Sequence, residues 1–121
     1  MELLQLSQDF SVCKLSSVHA VDIERPFTFL SVTDDEISLV CEASAVPKNA
    51  IEIEPGWRCL KIAGVLDFSL VGIIAKLSSL LAEHSISVFV VSTFNTDYIL
   101  LKSGQYIRAV DILRSDGYII A

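Results

Sequence analysis

The chain has little positive charge and no apolar run long enough to cross a membrane. Nine lysine and arginine residues stand against fifteen aspartate and glutamate residues, which gives a net charge of −6. Nucleic acids and anionic membrane surfaces are bound through basic patches, so this composition predicts neither as a partner. The most apolar segment, residues 62–81, is interrupted by Asp67 and Lys76. A membrane-spanning helix needs about 18 or more consecutive residues with few or no charges.

Motifs for catalysis and for metal binding are also scarce. Cys13, Cys41 and Cys59 are widely spaced, form no CxxC pair and lie among apolar or β-branched residues, which favours buried thiols. His19 and His84 are too far apart in the pattern to suggest a site, and no HExxH, GxSxG or P-loop pattern occurs. The first residues contain no basic region followed by an apolar run, so no signal peptide is visible. We therefore expect a non-enzymatic, cytoplasmic protein without a cofactor or a bound metal.

Apolar residues are abundant by contrast. They make up 52% of the 121 residues, and the mean hydropathy is +0.56. This much apolar surface can offset the conformational entropy that is lost on folding. The length suits one domain or two very small ones. The candidate boundary is a connecting loop from Val46 to Gly56, so we expect units at residues 1–55 and 56–121.

The first half alternates apolar and polar residues with the period of β-strands. Phe10–Leu15 and Phe27–Thr33 are predicted strands. Asp34-Asp35 is a turn signal, after which Glu36–Glu42 returns as the hairpin partner of the second strand. Residues 16–25 have room for one or two helical turns before the proline that follows them.

The second half has the rhythm of alternating strands and helices. It begins with a predicted strand over Trp57–Ala63 and a helix from about Ser69 to His84. Strands over Ile86–Thr93 and Asp97–Lys102 follow. Ser103 can cap a second helix, which carries Tyr106, Val110 and Leu113 on one face, and the last predicted strand is Tyr118–Ala121. The order βαββαβ predicts an α+β, ferredoxin-like fold, in which both helices lie on one face of an antiparallel sheet.

One group of polar residues lies where this topology brings two loops together. Asp67 stands between a strand and the first helix, and Asp97 follows the turn that begins at Thr93. The N–H groups of a helix N-terminus donate hydrogen bonds to a carboxylate, and two aspartates can pair with an ammonium or a guanidinium group. This pattern favours recognition of a free amino acid. The alternative is that Asp67 only caps the helix and Asp97 only stabilises the hairpin turn.

The same residues resemble a known family. The segments GWRCLK at 56–61, LDFSLVGI at 66–73 and ISVFVVSTFNTDYILLK at 86–102 are similar to motifs of ACT domains. They resemble in particular a branch of small stand-alone proteins with two ACT-like units, which is similar to cytosolic arginine sensors. Phe68-Ser69 stands where many ACT domains have Pro-Gly, and Ser85 stands where they have glycine. The resemblance implies an ACT domain in the C-terminal half and a degenerate ACT-like unit in the N-terminal half.

The resemblance also implies a function. ACT units bind amino acids at the interface between paired units, so the implied protein is regulatory, non-enzymatic, bound to an amino acid and paired as a homodimer. Carried over to this sequence, the ligand-binding residues are Gly64, Asp67, Ser69, Leu70, Val71, Thr93, Phe94, Asn95 and Asp97. The alternative is a structural protein–protein interaction module without a metabolite ligand, whose apolar face is covered by a partner protein.

Overall fold

The structure, a computed structural model, describes residues 1–67 and 71–121 and divides them into two units. One unit is Gln8–Trp57, and the other combines Met1–Ser7 with Arg58–Ala121. The sequence prediction had instead assigned all of residues 1–55 to the first unit. The difference arises from strand β1 (Glu2–Gln5), which pairs antiparallel with the end of β5 (Ala50–Ile62) and parallel with β8 (Ile119–Ile120).

The N-terminal unit contains three strands besides the first part of β5. They are β2 (Phe10–Leu15), β3 (Phe29–Val32) and β4 (Ile37–Glu42). Each neighbouring pair is antiparallel, in the order β3-β4-β2-β5. The prediction of Phe10–Leu15 and of the hairpin that follows it is confirmed. One face of this sheet carries the core of the unit, which consists of Cys13, Leu15, Leu39 and Cys41.

The predicted helical turns at residues 16–25 are wrong. These residues form successive turns, and the only helical element among the described residues of this unit is a short 3-10 turn at Ala43–Ala45. The Asp22 carboxylate accepts the backbone N–H of Glu24 at 3.1 Å, and the Asp22 carbonyl accepts that of Arg25 at 3.2 Å. Such local bonds from an aspartate compete with the hydrogen bonds of a helix.

The predicted loop from Val46 to Gly56 is also wrong, because β5 already begins at Ala50. Val12 pairs with Glu54 and Phe10 with Trp57, so the strand β5 has one more residue than its partner between these two pairs. A bulge of this kind tolerates a proline, which has no N–H to donate, and here it contains Pro55 and Gly56. Gly56 has a φ of 82°, which glycine adopts without a steric cost.

The C-terminal unit has the predicted α+β architecture. Its further elements are α1 (Ile73–Glu83), β6 (Phe89–Ser92), β7 (Asp97–Lys102) and α2 (Ser103–Ser115). The strand order is β6-β7-β5-β1-β8. Both helices pack on one core, which includes Leu60 and Ile62 of β5, Ile99 and Leu101 of β7, Leu77 and Leu81 of α1, and Tyr106, Val110 and Leu113 of α2. In the described part of the chain, no helix is long and apolar enough to span a bilayer.

The first helix begins later than the sequence predicted. Its N-cap is Gly72, which has a φ of 79°, and the helix starts at Ile73. The predicted first residues Ser69 and Leu70 lie outside the described residues. Asp67 precedes Gly72 by five positions, so it does not occupy the N-cap position that the alternative interpretation assigned to it.

The two units contain matching hairpins. Phe29 pairs with Val40 and Val32 with Ile37, and 60 positions later Phe89 pairs with Leu100 and Ser92 with Asp97. Both turns close on a threonine, since the N–H of Thr33 donates to Glu36 at 3.0 Å and that of Thr93 donates to Thr96 at 2.9 Å. The same strand lengths and registers therefore occur twice in the chain.

Candidate functional site

The turn between β6 and β7 is held by two threonines. The backbone N–H and the hydroxyl of Thr93 both donate to the carbonyl of Thr96, each at 2.9 Å. Thr96 is 3% exposed, and its hydroxyl donates to the carbonyl of Ile62 at 2.9 Å. Because Ile62 is the last residue of β5, this buried hydrogen bond fixes the turn at the end of that strand.

The loop that follows β5 is attached to the same turn. Gly64, with a φ of 82°, redirects the chain after the strand. Two residues later, the backbone N–H of Leu66 donates to the carbonyl of Asn95 at 2.7 Å. Asp67 is therefore held next to the hairpin turn, as the sequence analysis predicted from the topology.

The N-terminus of α1 forms the third side of the site. The earliest backbone hydrogen bond of the helix runs from the N–H of Lys76 to the carbonyl of Gly72, at 2.9 Å. The N–H groups of Ile73, Ile74 and Ala75 precede this bond and have no partner within the helix. Among the described residues, no side chain caps this end of α1.

These three segments enclose a cleft of about 310 Å³. Its described lining consists of Leu66, Asp67, Gly72, Ile73, Ile74, Ala75, Ser92, Thr93, Phe94, Asn95, Thr96 and Asp97. Asp67 and Asp97 are the only ionisable side chains in that lining. The cleft thus combines two carboxylates with the positive end of a helix dipole, and it can take up a cationic and an anionic group of one small molecule.

The structure gathers five of the nine predicted site residues at this cleft: Asp67, Thr93, Phe94, Asn95 and Asp97. Gly64 and Val71 are not part of the lining, and Val71 is 89% exposed. Ser69 and Leu70 lie outside the described residues. Whether any of the nine binds a ligand stays a prediction.

Several lining residues were not predicted, and Thr96 is the most informative of them. Its role depends on a contact with Ile62, which is 34 positions away in the sequence. The matching hairpin of the N-terminal unit could have revealed the shape of this turn, because Thr33 and Glu36 occupy there the positions of Thr93 and Thr96. Gly72 and Ile73 were missed because the helix was predicted to begin earlier.

No cysteine belongs to the described lining of this cleft, and all three are buried, as predicted. Burial raises the pKa of the Cys41 and Cys59 thiols to about 12 and also raises the pKa of the Cys13 thiol. These groups are therefore protonated at neutral pH and are poor nucleophiles and metal ligands. Within the described residues, no cluster of histidine, cysteine, aspartate or glutamate side chains could hold a metal ion.

Comparison with known families places the chain among proteins of this architecture. A family model described as the ACT domain matches residues 52–115, which is more than half of the chain. The chain belongs to the ACT domain family. Subunit 1 of the cytosolic arginine sensor for mTORC1 from Rattus norvegicus is 31% identical over 96 residues, which cover 74% of this chain and 29% of that protein. This ACT chain therefore spans less than a third of the length of that relative.

Solved structures share the fold. Protein Atu0741 from Agrobacterium tumefaciens has a TM-score of 0.85 and 31% identity, and the match covers 99% of this ACT chain and 91% of that one. The regulatory subunit of aspartate kinase from Thermus thermophilus has a TM-score of 0.64 and 8% identity, with coverages of 93% and 95%. At that identity the likeness shows the fold alone.

Proposed function

We propose that this ACT protein is regulatory and non-enzymatic and that it binds a free amino acid in the cleft beside Asp67 and Asp97. The observation that carries the proposal is the meeting of two carboxylates with the N-terminus of α1, which no described side chain caps, in one cleft. The carboxylate of an amino acid would bind at the backbone N–H groups of Ile73 and Ile74. Its ammonium group would bind at the two aspartates. Thr93, Phe94 and Asn95 would shape the remaining wall.

The comparisons support an amino-acid ligand. The rat relative, at 31% identity, is named a cytosolic arginine sensor. By analogy with the rat protein, we assign this chain to the cytoplasm. The match covers less than a third of that relative, so we do not assign the partner proteins of the relative to this chain.

The proposal includes pairing of two copies. We assign the N-terminal unit as a degenerate ACT-like unit, which its strand order and its matching hairpin support. In each hairpin the outer strand, β3 or β6, pairs with a single neighbour among the described strands. Unpaired strand edges are commonly covered in symmetric dimers. A homodimer would cover such an edge and complete the ligand site at the interface between paired units.

The test is a thermal-shift titration against the twenty amino acids, with subunit mass recorded alongside. A ligand at a hundred times its dissociation constant adds about 2.7 kcal/mol to the free energy of unfolding, which is a shift of several degrees. We expect one selective amino acid to stabilise the wild type but not Asp97→Ala, since Asp97 lies at the first position of β7, where alanine leaves the backbone pairing intact. The exposed residue Asp111 on α2 offers a control, because Asp111→Ala removes the same charge away from the cleft.

An equal shift in the wild type and in Asp97→Ala would refute the site. No shift with any amino acid, in a protein of dimeric mass, would refute the ligand and favour the alternative, a structural interaction module. The exposure of apolar side chains supports that alternative: Phe94 at the cleft is 78% exposed and Val65 in the preceding loop is 74% exposed. Exposed apolar groups that lie close together are typical of surfaces that bind another protein.

A further inference from the structure

The N-terminal unit has a cleft of its own. It measures about 140 Å³ and is lined by Ala20, Val21, Asp22, Arg25, Thr28, Leu39, Cys41 and Ala45. Leu39 and Cys41 belong to the core face of the sheet, and the other residues come from the turns at 16–28 and from the 3-10 turn. The corresponding strand residues of the C-terminal unit, Ile99 and Leu101, are covered by helices. The cleft therefore exists because short turns cover this face less completely than helices do.

Two residues of opposite charge, Asp22 and Arg25, line this cleft. Arg25 forms an ion pair with Glu42, with its Nε 3.1 Å from the Glu42 Oε2, and its Nη2 donates to the Ser44 hydroxyl at 3.3 Å. No ion pair joins Arg25 to Asp22 in the described structure, although both line the cleft. The Nη1 nitrogen of Arg25 and the Oδ2 oxygen of Asp22 make no hydrogen bond to the described residues. One nitrogen of Arg25 and one oxygen of Asp22 are thus available at this small cleft, although Glu42 already balances the charge of Arg25.

The wall that carries these charges is already ordered. Three hydrogen bonds hold it, from the N–H groups of Val21 to Val18, of Glu24 to the Asp22 carboxylate, and of Arg25 to the Asp22 carbonyl. The guanidinium charge also reaches the floor of the cleft: burial raises the pKa of the Cys41 thiol to about 12, and the charge of Arg25 opposes that rise. Ordering before binding reduces the entropy that a ligand must overcome.

We propose that this cleft binds a small zwitterion, an amino acid of the size of glycine or alanine. Its carboxylate binds the guanidinium group of Arg25, and its ammonium group binds the carboxylate of Asp22. A cleft of about 140 Å³ has room for glycine or alanine, and we expect larger amino acids to fit it less well. This site is separate from the cleft at Asp97, and it does not depend on that proposal. Because Arg25 and Asp22 are partly exposed to water, their ion pairs with the ligand are screened, and we expect a modest affinity for the amino acid.

The test is a titration of the isotope-labelled full chain with glycine, followed by the amide signals of Val21 and Thr28. We expect both signals to shift with glycine and alanine but not with leucine, and acetate and methylammonium to bind more weakly than glycine. Asp22→Asn and Arg25→Gln each remove one charged partner, so each is expected to raise the dissociation constant by roughly two- to fivefold, as for other partly exposed ion pairs. The control Asp34→Asn removes a charge from an exposed turn of the same unit and is expected to leave the affinity unchanged.

Asp97→Asn separates the two sites, since it is expected to leave the signals of Val21 and Thr28 responsive to glycine. The proposal is overturned if glycine moves neither signal, if leucine binds as well as glycine, or if Asp22→Asn binds glycine like the wild type. If Arg25→Gln loses its fold with the ion pair to Glu42, Asp22→Asn alone decides, because asparagine keeps the oxygen that accepts the N–H of Glu24. Loss of glycine binding in Asp97→Asn would equally overturn it, by assigning the ligand to the other cleft.

Discussion

Thr96→Val tests whether one buried hydroxyl holds the hairpin turn at the cleft. The hydroxyl of Thr96 is buried and donates to the carbonyl of Ile62 at 2.9 Å. Valine has nearly the same shape but leaves that carbonyl without this donor. An acceptor deprived of its partner in a buried position costs about 1–3 kcal/mol. For a domain of this size, about 1 kcal/mol corresponds to about 4 °C in Tm, so we expect Tm to fall by about 4–12 °C.

Two further variants make the assay specific to the hydroxyl. Thr96→Ser keeps the hydroxyl and removes one methyl group, which costs about 0.8 kcal/mol when it is buried. Thr33→Val alters the matching but exposed turn of the other hairpin, where a change of about 0.5 kcal/mol or less is expected. Thermal unfolding followed by circular dichroism should therefore rank the variants as wild type, Thr96→Ser and Thr96→Val. A valine variant as stable as the wild type, or a serine variant less stable than valine, would contradict this reasoning.

Three other predictions concern the core. Leu77→Ala, at a fully buried position of α1, should lower the free energy of unfolding by about 2–5 kcal/mol in a urea titration. Tyr106→Phe removes only the hydroxyl that donates to the Gln5 side chain at 2.9 Å, so the same titration should show a loss of about 0.5–1.5 kcal/mol. Stability should fall as the pH rises from the ordinary thiol pKa of 9.0 toward about 12, because the unfolded chain then releases the protons of Cys41 and Cys59 before the folded chain does. A pH-independent denaturation midpoint over that range would contradict the last of these.

The sequence predicted elements whose signals are local. The bounds of β2 and β7 agree with the prediction, because the polar residues Ser16 and Ser17 follow β2, and charged residues begin and end the apolar run of β7. The second helix begins at Ser103, one residue before the start that a cap at Ser103 predicts, because its N-cap is Lys102. Its three predicted core residues are buried. The burial of the three cysteines also followed from their apolar neighbours.

The predictions failed where a distant contact outweighs the local signal. Strand β1 has four residues, and its partners lie at the end of β5 and in β8, so no short window of sequence reveals it. Pro55-Gly56 is a strong loop signal, yet β2 pairs with Glu54 before it and with Trp57 after it, so these two residues form a bulge within β5. The turns at 16–25 depend on where the Asp22 side chain bonds, which composition does not indicate.

The candidate site was predictable in part. The neighbouring positions of β5 and β7 in this topology placed Asp67 next to the turn from Thr93 to Asp97, and the cleft contains them together. The inclusion of Gly64 and Val71 came from the resemblance to the family. The actual start of α1 at Ile73 brings Gly72 and the first helical residues into the lining instead.

The position of β1 makes the N-terminal unit an insertion within the C-terminal one. The two points at which the insertion leaves and returns are adjacent, since the N–H of Leu6 donates to the carbonyl of Cys59 at 3.1 Å and Arg58 donates to the carbonyl of Leu6 at 3.1 Å. Residues 8–57 could therefore be deleted and Ser7 joined to Arg58 by a short linker, which would leave the pairing of β1 with β5 in place. A simple truncation that starts at Gly56 would instead discard β1 and leave β8 without its parallel neighbour. Separating the two units thus calls for removal of the internal segment 8–57 rather than for truncation at Gly56.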